Sequence, residues 1–170
     1  MNPVTLHTVV SIARDLFQEA YEGAQGPATW FVNNEPNQGV FGTLDNLTAE
    51  EASRPGPGGG PSVAAHTEHL RWSLANVNAV VQGHPWNPDW SGSWTVNEVT
   101  EGEWDALRGA LRREYGGVAE ALANEDEDWS DPMKLTGALA MAPHAAHHLG
   151  TIRQMARSIR ADTAPGASGG

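Results

Sequence analysis

Two of the seven histidines in this chain, His144 and His148, are spaced four residues apart in the run 143–150. On a helix, side chains with this spacing lie one turn above the other and point to the same side. Neutral imidazole is the commonest metal ligand in proteins and suits zinc, iron, nickel and copper. The pair therefore indicates one side of a metal site.

A second pair of histidines, His66 and His69, lies on an earlier segment with helical periodicity. Burying two neutral imidazoles without partners would cost on the order of 1–3 kcal/mol each, so an ion shared between two helices explains inward-facing histidines better than simple packing does. The third ligand is then His66 or His69. His66 lies on the hydrophobic stripe of its helix and His69 at the edge of that stripe, so periodicity slightly favours His66 and leaves both open.

Apolar residues recur at spacings of three and four in four segments, which predicts four amphipathic helices. The apolar pattern and the capping residues place these helices at about residues 2–22, 62–83, 100–122 and 132–160. The predicted helix starts carry the residue types that cap helices: Asn2, Ser62, Thr100 and Asp131. Because no segment has a convincing strand pattern, we predict an all-α four-helix bundle.

The first predicted helix has a polar side, on which Arg14, Asp15, Gln18 and Glu19 are expected to face solvent. In the third helix, the pair at 116–117 is Gly-Gly, which weakens a helix and is expected to allow a kink or a close approach by another helix.

Glycine and proline residues break up the segment 23–61, so a long loop is expected between the first two helices. Within it, Leu44 and Leu47 are expected to pack onto the bundle, with a short helical turn at 48–51. We predict a single domain over residues 1–160 and a disordered C-terminal tail over 161–170, where the residues are small and polar.

Composition excludes several classes of partner. The 170 residues include 10 Lys and Arg against 21 Asp and Glu, a formal charge of −11. Nucleic acid is therefore excluded as a partner, because phosphate binding needs clustered cations, and an anionic membrane surface is disfavoured. The chain has no cysteine, so disulfides, thiolate ligands and a cysteine nucleophile are ruled out.

We expect neither a membrane span nor a signal peptide. No window approaches the roughly 18 apolar residues of a membrane span, and residues 1–7 lack a basic start and a long apolar stretch. The expected location is the cytoplasm. Three tryptophans, Trp86, Trp90 and Trp94, cluster between the second and third helices and are expected to cover the end of the bundle, the alternatives being a pocket mouth or a dimer contact.

Several of these motifs resemble the signature of the DinB/YfiT-like superfamily. The sharpest are Ser62-Val63 followed by His69-Leu70, and His144-x-x-x-His148-x-Gly150-x-Ile152. More diffuse similarity lies in Leu44-x-x-Leu47-Thr48-x-Glu50-Glu51 and in Thr100-Glu101-Gly102-Glu103-Trp104. The resemblance covers roughly residues 40 to 160, and the segment 23–39 falls outside it.

The resemblance implies an up-down-down-up four-helix bundle in which His69, His144 and His148 hold a divalent metal, with zinc, nickel, iron and manganese all compatible. The family often has glutamine after the glycine of the last motif. Here that position is Thr151, which leaves the role of that side chain open. Related bundles often pair, so a homodimer is a further expectation.

Three histidine ligands leave coordination positions open for water or a small-molecule substrate, as in catalytic zinc sites. Because members of the superfamily include thiol transferases that use bacillithiol or mycothiol, we expect transfer of a low-molecular-weight thiol to an electrophile. Glu68 or His66 is the candidate proton acceptor or partner behind the ligands. The alternatives are a metal-dependent hydrolase and a non-enzymatic, stress-associated metal-binding protein whose ion stabilises the bundle.

Overall fold

The computed structural model of the chain describes residues 3–86 and 88–163. Its regular structure is helical, and these ranges contain no β-strand. Six α-helices follow one another in the order α1 (Leu6–Glu22), α2 (Val40–Asp45), α3 (Ala49–Ala52), α4 (Val63–Val81), α5 (Glu101–Ala123) and α6 (Pro132–Thr163). The four long helices α1, α4, α5 and α6 are the four predicted ones, so the all-α prediction is confirmed.

Local sequence fixes where these helices begin. The Ser62 hydroxyl accepts from a backbone N–H of the first turn of α4, Thr100 forms a capping box with the residue three positions later, and the Asp131 carboxylate accepts from the start of α6. The start of α1 differs from the prediction. Thr5 caps this helix, and the predicted cap Asn2 lies outside the described residues.

Contacts between side chains give the direction of α4 relative to α6. His66 on the first turn of α4 meets His148, which lies beyond the middle of α6, whereas His69 one turn later meets His144 one turn earlier. Because the order of contacts is reversed, α4 and α6 run antiparallel.

The same reasoning places α5 parallel to α4. The Ser62 hydroxyl at the start of α4 donates to the carbonyl of Asn97, just before α5. Asn78, near the end of α4, donates to Glu114, which lies past the middle of α5. The Gly-Gly pair lies just after this second contact. Helix α5 runs unbroken through the pair, so the glycines cause no kink. A Cβ at Gly117 would lie 2.7 Å from the Asn78 side chain, so this glycine permits the close approach of α4 and α5.

Helix α1 runs antiparallel to α5. The ring of His7 on the first turn of α1 bonds to the carbonyl of Glu125 just beyond the end of α5, and the Tyr115 hydroxyl donates to Glu22 at the end of α1. With α1 taken as up, α4 and α5 run down and α6 runs up. This is the up-down-down-up order that the resemblance implied.

The long predicted loop contains two short helices and packs onto the bundle. Leu44 is fully buried and Leu47 nearly so, as expected from the sequence. The indole of Trp104, itself fully buried on α5, donates to the Leu47 carbonyl at 2.9 Å. The helical turn expected at 48–51 is α3, which begins with a capping box at Thr48.

The predicted orientation of Glu19 is wrong. Its side chain is buried at 5 % exposure instead of facing solvent, and one carboxylate oxygen accepts from the backbone N–H groups of Trp30, Phe31 and Val32 at 2.7, 2.6 and 3.1 Å. The physical reason is that the loop after α1 folds back over this side of the helix. Three donors then replace the water that the carboxylate has lost.

Helix α6 continues to Thr163, three residues past the predicted domain end at 160. The rest of the predicted disordered tail, residues 164–170, lies outside the described residues. Among the helices of the described ranges, none combines the length and the apolar character needed to cross a membrane.

Candidate metal centre

Three histidines from two helices converge inside the bundle. One ring nitrogen from each of His69, His144 and His148 lies within 4.8 Å of the other two. His144 and His148 are one turn apart on α6, and His69 approaches them from the antiparallel α4. His69 and His148 are buried, and His144 is partly exposed.

The spacing of these nitrogens fits a single divalent ion. Zinc–imidazole bonds are about 2.1 Å long, so two ligands in a tetrahedral site lie about 3.4 Å apart and can never be more than about 4.2 Å apart. The Nε2 atoms of His69 and His144 are 3.2 Å apart. Bringing the widest pair, at most 4.8 Å apart, to the tetrahedral spacing requires a movement of no more than about 1.4 Å. A donor set of three imidazoles also suits a borderline divalent metal.

A buried hydroxyl contacts the ring of His69. Its Nδ1 lies 3.0 Å from the Oγ of Ser93, and Ser93 Oγ donates to the carbonyl oxygen of Trp90 at 2.8 Å. The Nε2 atom on the other side of the same ring faces His144.

His66 lies behind His148. Their Nδ1 atoms are 2.9 Å apart, so one of the two nitrogens carries the shared hydrogen. When His148 is the donor, its Nε2 has the free lone pair, which is the usual arrangement of a metal-ligating histidine. Periodicity slightly favoured His66 as the third ligand. The structure brings His69 into the cluster with both histidines of α6 and puts His66 in contact with His148.

Burial keeps the rings of the cluster neutral. Loss of water lowers the pKa values of His66, His69, His144 and His148, and the neighbouring histidines, which would repel a second charge, lower them further. The pKa of His69 falls to about 4, and that of His148 falls further still. At neutral pH the lone pairs are therefore available to a metal without the release of protons.

Part of the tryptophan-rich segment borders this cluster. Trp94 stacks on His69 with ring centroids 4.2 Å apart and an interplanar angle of 17°, and its edge meets His66. The ring centroid of Trp90 lies 6.1 Å from that of His69. Trp90 and the neighbouring Trp86 are both about half exposed. The turn Trp90–Trp94 therefore packs against the histidine cluster.

Other candidates from the sequence lie apart from the three nitrogens. Both carboxylate oxygens of Glu68 accept hydrogen bonds from the Arg71 guanidinium, each at 2.7 Å. His147 is exposed on the outer side of α6, as expected. The Thr151 hydroxyl donates to a carbonyl of its own helix, that of His147.

Sequence reasoning missed Ser93. The residue is a serine in a loop without a motif, and its one signal is its place between two tryptophans. Its burial, at 0 % exposure, depends on how the turn Trp90–Trp94 folds onto α4.

No curated protein and no solved structure matches this chain significantly. A family model, that of the DinB superfamily, matches residues 38–152. The matched region includes the three converging histidines, Ser93 and the whole of α4 and α5. Together with the up-down-down-up bundle, this match, which covers more than half of the chain, shows that the protein belongs to the DinB superfamily.

Proposed function

We propose that His69, His144 and His148 bind one divalent metal ion, and that the protein uses it to transfer a low-molecular-weight thiol to an electrophile. The observation that carries the metal site is the convergence of three ring nitrogens within 4.8 Å on two antiparallel helices. Membership of the DinB superfamily supports it. The thiol substrate rests on the resemblance to thiol transferases of this superfamily.

Three protein ligands leave room for an exogenous group, in contrast to the closed four-ligand sites that serve structure. When bound, a divalent ion lowers the pKa of a thiol or water that shares it, so that the nucleophile forms near neutral pH. In the proposed reaction, R–SH and R′–X give R–S–R′ and HX. The sulfur–carbon bond forms as the carbon–X bond breaks, X leaves with the bonding electron pair, and the thiol proton ends on HX or in solvent.

The chain's own residues supply orientation and a dry environment. Trp94 covers one face of His69, and the hydroxyl of Ser93 lies within hydrogen-bond distance of Nδ1 of that ring. A low-dielectric surrounding strengthens electrostatic interactions at the site. The partly exposed His144 and the half-exposed Trp90 mark the side from which a substrate reaches the cluster.

Of the two predicted supporting residues, His66 is the better candidate. Its ring contacts that of His148, so it is placed to accept a hydrogen bond from the ligand and to hold its orientation. Glu68 is committed to Arg71 by two hydrogen bonds. We therefore propose that His66 orients His148 and that Glu68 has no direct part in the chemistry.

The test is thiol consumption by the zinc-loaded full chain with 1-chloro-2,4-dinitrobenzene, with cysteine and glutathione as probe thiols. Wild type is compared with His148→Ala and with the matched control His84→Ala, which removes an exposed histidine outside the cluster. We expect metal-dependent turnover in wild type and His84→Ala, and a loss of at least tenfold in His148→Ala. Equal rates in wild type and His148→Ala would remove the catalytic claim.

Two other outcomes distinguish the alternatives. Turnover of p-nitrophenyl acetate without added thiol would favour a metal-dependent hydrolase. A large rise in melting temperature on adding zinc, without turnover of thiol or ester, would favour an ion that only stabilises the bundle. A cytoplasmic location and a homodimer remain predictions, which localisation of the tagged protein and sedimentation equilibrium would check.

A further inference from the structure

The contacts of Ser93 form a chain that links the tryptophan-rich turn to the metal centre. Ser93 is completely buried, although it lies in a connection between two helices. Its hydroxyl bonds in two directions, to the carbonyl of Trp90 within the same turn and to His69 on α4. The Asp89 carboxylate caps this turn by accepting from the N–H of Ser91.

We propose that Ser93 is a positioning residue for the candidate metal ligand His69. A neutral imidazole carries its hydrogen on either ring nitrogen, and only the other nitrogen can bind a metal. The carbonyl of Trp90 can only accept a hydrogen bond, so it holds the Ser93 proton. The serine oxygen is left as an acceptor facing Nδ1 of His69. The arrangement selects the tautomer whose Nε2 lone pair points to His144.

Two further features support this role. Trp94, the last residue of the same turn, stacks on the face of His69 and limits rotation of the ring. The hydrogen bond from Ser93 and the stacked indole thus hold the ring in position and direction. Partners of this kind behind metal-ligating histidines typically contribute 10–100-fold to metal affinity. The inference about affinity rests on the proposed metal site, whereas that about the tautomer does not.

Ser73 offers a matched control. It lies one helical turn after His69 on α4 and is buried at 5 % exposure, and its hydroxyl has no hydrogen-bond partner within the part of the chain that the structure describes. Replacing Ser73 by alanine removes the same atom from a place that is also buried. The comparison of Ser93→Ala with Ser73→Ala therefore separates the hydrogen bond to His69 from a general loss of packing.

The experiment has two readouts on the full chain. Long-range 1H–15N spectra of the metal-free protein, assigned with a His69→Gln variant, report the tautomer of His69. Competition dialysis with zinc reports affinity. We expect the Nδ1–H tautomer in wild type and Ser73→Ala, a mixture of tautomers in Ser93→Ala, and a 10–100-fold lower zinc affinity in Ser93→Ala alone.

An Nε2–H tautomer of His69 in wild type would overturn the proposal without the use of any variant. Equal zinc affinity in Ser93→Ala and Ser73→Ala would also overturn it. If wild type binds no zinc, the proposed function fails, but the tautomer spectra still decide the role of Ser93. Should Ser93→Ala fail to fold, the wild-type spectrum alone decides, since an Nδ1–H tautomer supports the proposal and an Nε2–H tautomer overturns it.

Discussion

The buried histidines make the metal-free protein sensitive to acid. Burial and the neighbouring rings depress the pKa values of His69 and His148 below the value of about 6.5 expected in the unfolded chain. As pH falls through about 6.5, the unfolded chain therefore binds protons that the folded protein does not bind. The free energy of unfolding must fall with decreasing pH, and this loss continues until pH reaches the depressed pKa values.

The size of the effect follows from the same shift. At pH 5.5, one unit below the unfolded pKa, each histidine that stays neutral in the folded protein costs about 1.4 kcal/mol relative to pH 8. This figure needs only a folded pKa well below 5.5, which the value of about 4 for His69 satisfies. The two histidines together account for about 2.8 kcal/mol. For a chain of this length, each of them corresponds to a shift in melting temperature of roughly 3–6 °C.

The assay is urea unfolding of chelator-treated protein at pH 8 and pH 5.5, for wild type and His148→Gln. The variant keeps a neutral polar side chain that does not titrate, so its loss of stability between the two pH values should be smaller than that of wild type by about 1.4 kcal/mol. His84→Gln, which changes an exposed histidine, should follow wild type. An equal loss in wild type and His148→Gln would refute the claim that His148 is held neutral by its surroundings.

Two further predictions concern the framework. Replacing Glu19 by alanine removes three hydrogen bonds to a carboxylate and should lower the free energy of unfolding by about 3 kcal/mol in urea titrations; a loss below about 1 kcal/mol would contradict the role assigned to this side chain. Gly116→Ala should stabilise the protein by about 1 kcal/mol, because alanine favours the helix and its Cβ would enter open space. Gly117→Ala should gain nothing, since its Cβ would meet Asn78 at 2.7 Å; equal gains at the two glycines would show that the helices do not approach closely there.

The parts of this structure that sequence predicts well are those with a local cause. Capping residues and apolar periodicity act within a few positions, so Ser62, Thr100 and Asp131 marked three helix starts correctly. The spacing of His144 and His148 likewise places both on one side of α6, because residues four apart on a helix share a face whatever the tertiary contacts are. The directions of the helices came from the resemblance and not from periodicity.

The features that sequence did not predict depend on where distant segments return. Glu19 belongs to the polar side of α1 by its spacing, and it is buried only because residues 30–32 fold back over it. Ser93 has no local pattern, because its function depends on the approach of its turn to His69. Periodicity also left open whether His66 or His69 is the third ligand, because both side chains face α6. They differ in their contacts, since His66 meets His148 and His69, one turn later, meets His144.

The most direct test of the metal centre is the metal content of the purified chain and of four single variants, measured by elemental analysis after dialysis against zinc. We predict one ion per chain in wild type, none retained in His69→Ala, His144→Ala or His148→Ala, and an ion still present but more weakly held in His66→Ala. A wild-type chain without zinc would contradict the three-histidine site. Retention by His69→Ala with loss in His66→Ala would contradict the choice of ligand on α4.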